Sequence, residues 1–186
     1  MIIDRPKEEN EEYEEADEFD LFDDRLSTVC FTGHRKISDK VRPELDAVLR
    51  QFVTSLYERG ARTFKTGGAV GFDTMAALAV LDMKYQLPDD SIKLVLCLAA
   101  PDQADHFSQY DRIIFNMIKD KADLVLYSAE HSTAESYYAR NRKLVDGSDA
   151  CVAFCTVQRG GTYYTCKTAL LSGVEFINLA DFVDLE

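Results

Sequence analysis

From Ser27 onward, short apolar runs alternate with longer stretches in which apolar residues recur at helical spacing. The runs predict six strands, at residues 28–31, 62–66, 92–99, 123–127, 149–155 and 174–177. The stretches between them predict five helices, within residues 41–56, 75–85, 106–117, 134–145 and 163–171. Continuous apolar strands that alternate with helices are typical of a parallel sheet covered on both faces. The pattern therefore predicts an α/β, three-layer fold with a mostly parallel sheet of about six strands.

The loops that follow the predicted strands indicate where a ligand would bind. Right-handed crossovers place the carboxyl ends of parallel strands at one edge of the sheet. Open α/β sheets bind ligands just outside that edge. Loops rich in glycine, charge or hydroxyl groups fall there, at residues 33–36, 67–73, 100–105, 128–135 and 156–162. We therefore expect the ligand site at this edge.

The loop after the second predicted strand carries Gly67, Gly68 and Gly71 and leads directly into a helix. Glycines leave the backbone bare where it must turn sharply. The free N–H groups of a helix N-terminus attract anions, so a glycine-rich turn of this kind commonly binds phosphate in α/β proteins. The same residues are equally compatible with a tight turn in which Asp73 caps the helix.

Gly160, Gly161 and Thr162 repeat this pattern before the last helix and add a hydroxyl group. Bare backbone followed by a helix N-terminus is again an anion-binding arrangement. Two such loops at one sheet edge can hold a phosphate or a phosphoribosyl group from both sides. Two ordinary strand-to-helix turns are the alternative, which the repetition disfavours.

Charged and aromatic residues near these loops offer further contacts. Arg140 supplies a planar fork for phosphate, and Asn141 an amide that reads a sugar or base edge. Gly33–Arg35 brings a second cation and an imidazole ring to the end of the first strand, and the ring of Tyr137 is able to stack on a base. Each has a structural alternative: a surface ion pair for Arg140, an ordinary loop position for His34, and core packing for Tyr137.

The negative charge of the chain is concentrated at its start. The formal net charge is −12 over 186 residues. Residues 1–25 hold twelve Asp or Glu and three Lys or Arg, a net charge of −9, so residues 26–186 carry a net charge of −3. This acidic stretch predicts a disordered arm before a single domain at residues 26–186. A solvated arm is favoured over docking of its apolar cluster, Phe19, Leu21 and Phe22. The nearly balanced domain disfavours nucleic acid as a partner.

Several classes of site receive no support from the sequence. The five cysteines lack the Cys or His pairs of a zinc pattern, so we expect buried, reduced thiols, no metal site and no cofactor. No apolar run approaches the ~20 residues that span a bilayer, so we expect no membrane partner. The N-terminus lacks the basic and apolar regions of a signal peptide, from which we expect a cytoplasmic protein.

Four motifs occur together: Thr-Gly-His-Arg at residues 32–35, Gly-Gly-Ala-Val-Gly-Phe-Asp at 67–73, Arg-Asn at 140–141 followed by Val-Asp-Gly-Ser-Asp at 145–149, and Gly-Gly-Thr at 160–162. Their order resembles the YpsA-like branch of the SLOG superfamily, which is named for the Smf/DprA and LOG proteins. The resemblance covers residues 27–180. It implies a Rossmann-like sheet, a site for a nucleotide or nucleotide-derived ligand and, because SLOG relatives often pair, a homodimer. The ligand-binding residues that it implies are Gly33, His34, Arg35, Gly67, Gly68, Gly71, Asp73, Arg140, Asn141, Gly160, Gly161 and Thr162.

A departure from the LOG pattern leaves catalysis open. LOG enzymes cleave the N-glycosidic bond of nucleoside monophosphates with an arginine and a glutamate near a longer glycine loop. Here residues 163–165 bring no glutamate into the first turn of the last helix, and Glu135 is the candidate to replace it. We therefore predict a SLOG-type sensor or binding module for a nucleotide or nucleotide-derived ligand. A phosphoribohydrolase or other N-glycosidase is the first alternative, and single-stranded DNA binding is the second, because residues 71–73 resemble the corresponding turn of DprA.

Overall fold

The structure, a computed structural model, describes residues 26–185. The arm at residues 1–25, with the predictions made for it, lies outside the described residues, as does residue 186. The described range contains six strands: β1 (Thr28–Gly33), β2 (Thr63–Thr66), β3 (Lys93–Leu98), β4 (Leu124–Tyr127), β5 (Ala150–Phe154) and β6 (Glu175–Asn178). The helices in the same range are α1 (Arg42–Glu58), α2 (Phe72–Gln86), α3 (Gln109–Lys121), α4 (Ala134–Val145) and α5 (Gly160–Leu171), and a 3-10 helix, Leu179–Asp181, follows β6. The predicted order of strands and helices is confirmed.

All strands of the sheet run parallel, in the order β4-β3-β2-β1-β5-β6. Cys30 of β1, for example, lies beside Lys65 of β2 on one side and Cys151 of β5 on the other. The chain moves in one direction from β1 to β4 and then crosses to the other side of β1 to form β5. This reversal makes a crevice above β1 and β5, the place where open α/β sheets bind ligands. The Rossmann-like, three-layer α/β fold is confirmed.

Helices cover both faces of the sheet, because alternate positions along each strand carry apolar side chains to opposite faces. α1, α2 and α3 pack on one face, over buried side chains such as Phe31, Phe64 and Leu96. α4 and α5 pack on the other face, over a smaller core that includes Cys30 and Cys151. Neither face of the central strands β1 and β5 is left to solvent, so a ligand would reach these two strands at their ends.

The helices begin in different ways. At the start of α3 the Asp111 N–H donates to Ser108 Oγ at 3.1 Å. At the start of α4, Thr133 and Ser136 form a reciprocal capping box. α5 begins at Gly160 with no side-chain cap. The first N–H groups of α5 are therefore left to partners from outside the helix.

No helix among residues 26–185 is long and apolar enough to cross a membrane. Within the same residues, no group of three or more His, Cys, Asp or Glu side chains is placed to hold a metal ion. The cysteines are free thiols; Cys155 is half-buried and the other four are buried.

Candidate functional site

A cleft of about 310 Å³ opens at the carboxyl edge of the sheet, over the ends of β1 and β5. Its walls come from the loop after β1, the turn before α2, the middle of α4 and the first turn of α5. The lining residues are Thr32, Gly33, His34, Arg35, Ala69, Asp73, Tyr137, Arg140, Asn141, Arg159, Gly160, Gly161, Thr162 and Thr165. The cleft is the crevice that the strand order produces.

The cleft brings together most of the residues that the sequence predicts for the site. Those that line it are Gly33, His34, Arg35, Asp73, Arg140, Asn141, Gly160, Gly161 and Thr162. Gly67, Gly68 and Gly71 are not among its lining residues. The second glycine loop therefore faces the cleft, whereas the glycines of the first loop lie behind it. The ligand-binding role of all these residues stays a prediction.

A buried ion pair occupies the space beneath the first glycine loop. Arg140 Nη1 lies 3.4 Å from Asp73 Oδ2, and only 8% and 4% of the two side chains are exposed. The same Asp73 oxygen accepts a hydrogen bond from the Ala69 N–H at 3.3 Å. The first loop therefore already holds an anion, the carboxylate of Asp73, in the role that the sequence analysis assigns to a phosphate.

The electrostatics of this pair leave part of the guanidinium uncompensated. Burial raises the pKa of the Asp73 carboxyl, because the charged form loses its hydration, while the Arg140 charge and the Ala69 N–H oppose that shift. Arg140 Nε is buried and has no hydrogen-bond partner among the residues described. Because a buried donor without a partner is costly, Arg140 keeps hydrogen-bonding capacity that no described residue uses.

Neighbouring protein atoms account for the glycines of the first loop. A Cβ at Gly67 would lie 1.3 Å from Arg140 Nη1. Gly71 has a φ of +83°, and a Cβ there would lie 2.4 Å from the Arg35 carbonyl oxygen. At Gly68 the missing side chain leaves room for core side chains of β3 and α3. These glycines are needed so that the loop can pack against the rest of the protein.

Gln103, which the sequence analysis did not single out, clamps the first loop from below. The residue is only 3% exposed. Its Oε1 accepts from the Ala99 N–H at 2.8 Å, and its Nε2 donates to the carbonyl oxygens of Gly67 and Gly68 at 3.0 and 3.1 Å. The sequence offers only a weak signal for this role, a polar amide in the loop that follows β3.

The space beside the glycines of the second loop is open, whereas neighbouring protein atoms fill the space beside the glycines of the first loop. A Cβ at Gly160 would meet nothing within 4 Å, and one at Gly161 would meet only Asn141 Nδ2, at 3.9 Å. The N-cap position, Arg159, makes no side-chain cap hydrogen bond. The start of α5 therefore presents bare backbone, and the positive end of the helix dipole, to the cleft.

Two hydrogen bonds fasten this second loop to the end of β1. Thr162 Oγ1 donates to the Gly33 carbonyl oxygen at 3.0 Å. The Thr156 N–H donates to His34 Nε2 at 2.8 Å. Because Nε2 accepts, the proton of the neutral imidazole lies on Nδ1. Burial lowers the pKa of His34, which favours this neutral form.

Positive charge predominates around the cleft. The guanidinium carbons of Arg35 and Arg140 lie 5.5 and 5.8 Å from the centre of the Tyr137 ring. Arg159, a lining residue that the sequence analysis missed, adds a third guanidinium. Glu135 lies exposed in the first turn of α4 and is not among the lining residues. The arrangement suits an anionic ligand with a flat group beside Tyr137.

Comparison with known proteins places the chain in a family. A family model described as the YspA SLOG family matches residues 30–172. Among proteins with curated functions, none matches the chain.

Solved structures share the fold at low sequence identity. DprA from Helicobacter pylori, described by its single-stranded DNA binding mode, has a TM-score of 0.59 and 18% identity over 83% of this chain and 65% of its own. DprA from Streptococcus pneumoniae has a TM-score of 0.60 and 19% identity over 81% of this chain and 49% of its own. TM1055, a structural genomics target, has a TM-score of 0.54 and 14% identity over 81% of this chain and 72% of its own. The chain thus spans about half to two thirds of the length of these DprA chains, and the likeness shows the fold alone.

Proposed function

Because the chain belongs to the YspA SLOG family, we propose that its cleft binds a nucleotide or nucleotide-derived ligand and that the protein acts as a sensor or binding module. One observation carries the proposal: the uncapped start of α5 and the unpartnered, buried Nε of Arg140 belong to the same cleft. A helix N-terminus attracts anions, and a guanidinium N–H is a strong donor to phosphate. Both features support a ligand that carries a phosphate.

In the proposed complex the phosphate lies against the backbone N–H groups at the start of α5. Arg140 and Arg159 line the same cleft. The sugar and base extend toward Tyr137 and Asn141. The side-chain amide nitrogen of Asn141 lies beside Gly161. A planar base would stack on the tyrosine ring, and the amide would bond a polar edge.

Calorimetric titration with a nucleoside monophosphate and the matching nucleoside tests the proposal. We expect the nucleoside to bind about 10- to 100-fold more weakly, because a charge-assisted hydrogen bond to phosphate contributes about 1.5–3 kcal/mol. Gly161→Val should abolish phosphate-dependent binding, since its side chain would point into the open part of the cleft. Thr168→Val, on α5 but outside the lining, is the matched control and should bind like the parent. Equal affinities for the two ligands, or full binding by Gly161→Val, would refute the phosphate site.

The N-glycosidase alternative depends on a carboxylate beside the sugar, where it would stabilise an oxocarbenium-like transition state. Asp73 is the one carboxylate among the lining residues of the cleft in the described chain. Incubation of the protein with a panel of nucleotides, followed by chromatographic detection of free base, separates a hydrolase from a binding module. Base release that is lost in Asp73→Asn would support the hydrolase, and binding without release would support the module.

A second candidate function, single-stranded DNA binding, is favoured by an aromatic and basic cluster beside the cleft. The rings of Tyr138 and Tyr164 meet edge to face at 5.0 Å, and Arg142 Nη1 donates to the Tyr164 hydroxyl at 3.5 Å. Aromatic rings flanked by cations bind single strands without sequence preference. The expectation that nucleic acid is disfavoured as a partner gains no support from the fold comparison, since a DprA structure is described by this binding mode. A mobility shift that weakens steeply with salt and is lost in Tyr138→Ala would establish this function.

A further inference from the structure

A second cavity, of about 340 Å³, lies between α5 and β6 on the far side of the loop that forms the cleft. Its apolar walls include Val157, Tyr163, Leu170 and Phe176. Val157 and Leu170 are 44% and 59% exposed, which is high for aliphatic side chains that share one cavity. An apolar group that bound in this cavity would remove these side chains from water.

Two residues in the wall of this cavity, Cys155 and Asn178, already bond one another. Asn178 Oδ1 accepts from the Cys155 N–H at 3.0 Å, and Asn178 Nδ2 donates to the Cys155 carbonyl oxygen at 3.0 Å. The Cys155 thiol itself donates to the Val157 carbonyl oxygen at 3.3 Å. The part of the cavity lined by Val157, Tyr163, Leu170 and Phe176 therefore suits apolar side chains. Beside it, β6 is the last strand of the sheet, and its outer edge has no neighbouring strand within residues 26–185.

The described chain begins close to this edge. The Leu26 N–H donates to the Arg59 carbonyl oxygen at 3.0 Å. The Arg59 guanidinium in turn bonds both carboxylate oxygens of Glu175, the first residue of β6, at 2.8 and 2.7 Å. A strand added outside β6 would lie three strand spacings from β1, a distance of about 14 Å. The four residues from Leu26 back to Phe22 extend about 13 Å when the chain is straight, which is close to that distance.

We propose that residues 18–22 of the arm, Glu-Phe-Asp-Leu-Phe, bind along β6 as an added antiparallel strand. Side chains of a strand alternate between its two faces, so Phe19 and Leu21 point together into the cavity between α5 and β6. Glu18 and Asp20, at the alternate positions of the strand, point away from the apolar cavity. Composition alone predicts a solvated arm. The apolar cavity, together with the position of Leu26 at the start of the described chain, offers this part of the arm a binding site.

The docked segment also covers a chemical reporter. Cys155 lines the cavity and is half-buried, whereas Cys30, Cys97, Cys151 and Cys166 are buried. A strand on β6 with its apolar side chains in the cavity shields the Cys155 thiol from reagents in solution. The rate at which a maleimide labels this thiol therefore measures how often the arm leaves its place.

The experiment compares maleimide labelling of the full chain with that of a Phe19→Asp/Leu21→Asp variant. We expect the variant to label at least about tenfold faster, because a charged side chain is costly in an apolar cavity. Tyr13→Asp, in the same arm but outside the segment, is the matched control and should label at the parent rate. Loss of labelling in Cys155→Ser identifies the reporting thiol.

Two outcomes would overturn the proposal. If the double variant and the parent label at the same rate, the segment does not cover the cavity. If protection in the parent disappears on dilution while size-exclusion chromatography shows a dimer dissociating, a second copy of the chain occupies the cavity instead. Leu170→Asp, on an exposed position of the cavity wall, gives an independent check, since it should accelerate labelling of the parent and leave the rate of the double variant unchanged.

Discussion

Arg140→Ala would remove the positive charge that faces the buried carboxylate of Asp73. Both side chains are more than nine-tenths buried, and Arg140 Nη1 lies 3.4 Å from Asp73 Oδ2. Loss of one partner from a buried ion pair typically costs about 3–5 kcal/mol of folding free energy, because the other charge is left uncompensated. We expect a loss of about 3 kcal/mol, since the contact is long and the Ala69 N–H still bonds the carboxylate.

The pH dependence of this loss identifies its cause. Burial already raises the pKa of Asp73 in the folded protein, and the pKa rises further when Arg140 is absent. A carboxyl whose folded pKa lies above its unfolded pKa favours the folded state while it is protonated, so its penalty grows as the pH rises through the unfolded value. The stability difference between parent and Arg140→Ala should therefore be largest near neutral pH and shrink toward about pH 4.

Urea unfolding of both proteins at neutral and acid pH measures the effect. In an Asp73→Asn background the Arg140→Ala change should cost less, and its cost should no longer depend on pH, because the titrating carboxyl is gone. A loss below about 1 kcal/mol at neutral pH, or an equal loss at both pH values, would refute the uncompensated-charge explanation.

Three further predictions concern residues around the cleft. Gly67→Ala should lower the melting temperature sharply, because its Cβ would stand 1.3 Å from Arg140 Nη1; an unchanged melting temperature would show that the guanidinium moves aside freely. Since burial lowers the pKa of His34, the stability from its bond to the Thr156 N–H is present above the ordinary pKa of about 6.5 and is lost as the pH falls through the lower folded value; an NMR titration that gives an ordinary or raised pKa would contradict this. Gln103→Leu should cost about 1–3 kcal/mol in urea unfolding, because it leaves a buried N–H and two loop carbonyls without their partner, and a change within the error of the measurement would argue against the clamp.

The fold was predictable because its signals are local and repeated. The apolar run at residues 28–31 and the helical spacing of Leu45, Leu49 and Val53 are each legible in short windows, and each element occurs where its window lies. Parallel strands follow from apolar runs that are buried on both faces. The strand order was not predicted, because neighbours in the sheet are chosen by packing between distant parts of the chain.

The location of the candidate site could be predicted from the sequence, but the contacts within the site could not. Glycine loops and cations at strand ends locate the cleft, since topology alone sends strand ends to one edge. Whether a glycine is bare for a ligand or for a neighbouring side chain depends on what packs there: Arg140 occupies the space at Gly67, while Gly161 faces open space. The roles of Gln103 and Arg159 likewise depend on contacts and placement that no short motif encodes.

The crossing of β5 to the far side of β1 bears on how the cleft assembles during synthesis. The bonds that join its two walls, His34 to Thr156 and Gly33 to Thr162, link residues 122 and 129 positions apart. Contacts so distant along the chain form late, because the entropy of closing the long loop must be paid first. A nascent chain that has completed β1 to β4 still lacks the parts of the cleft that α4 and α5 supply. A ligand that binds there stabilises only chains in which the last strand-helix unit has docked, and so selects for the completely folded protein.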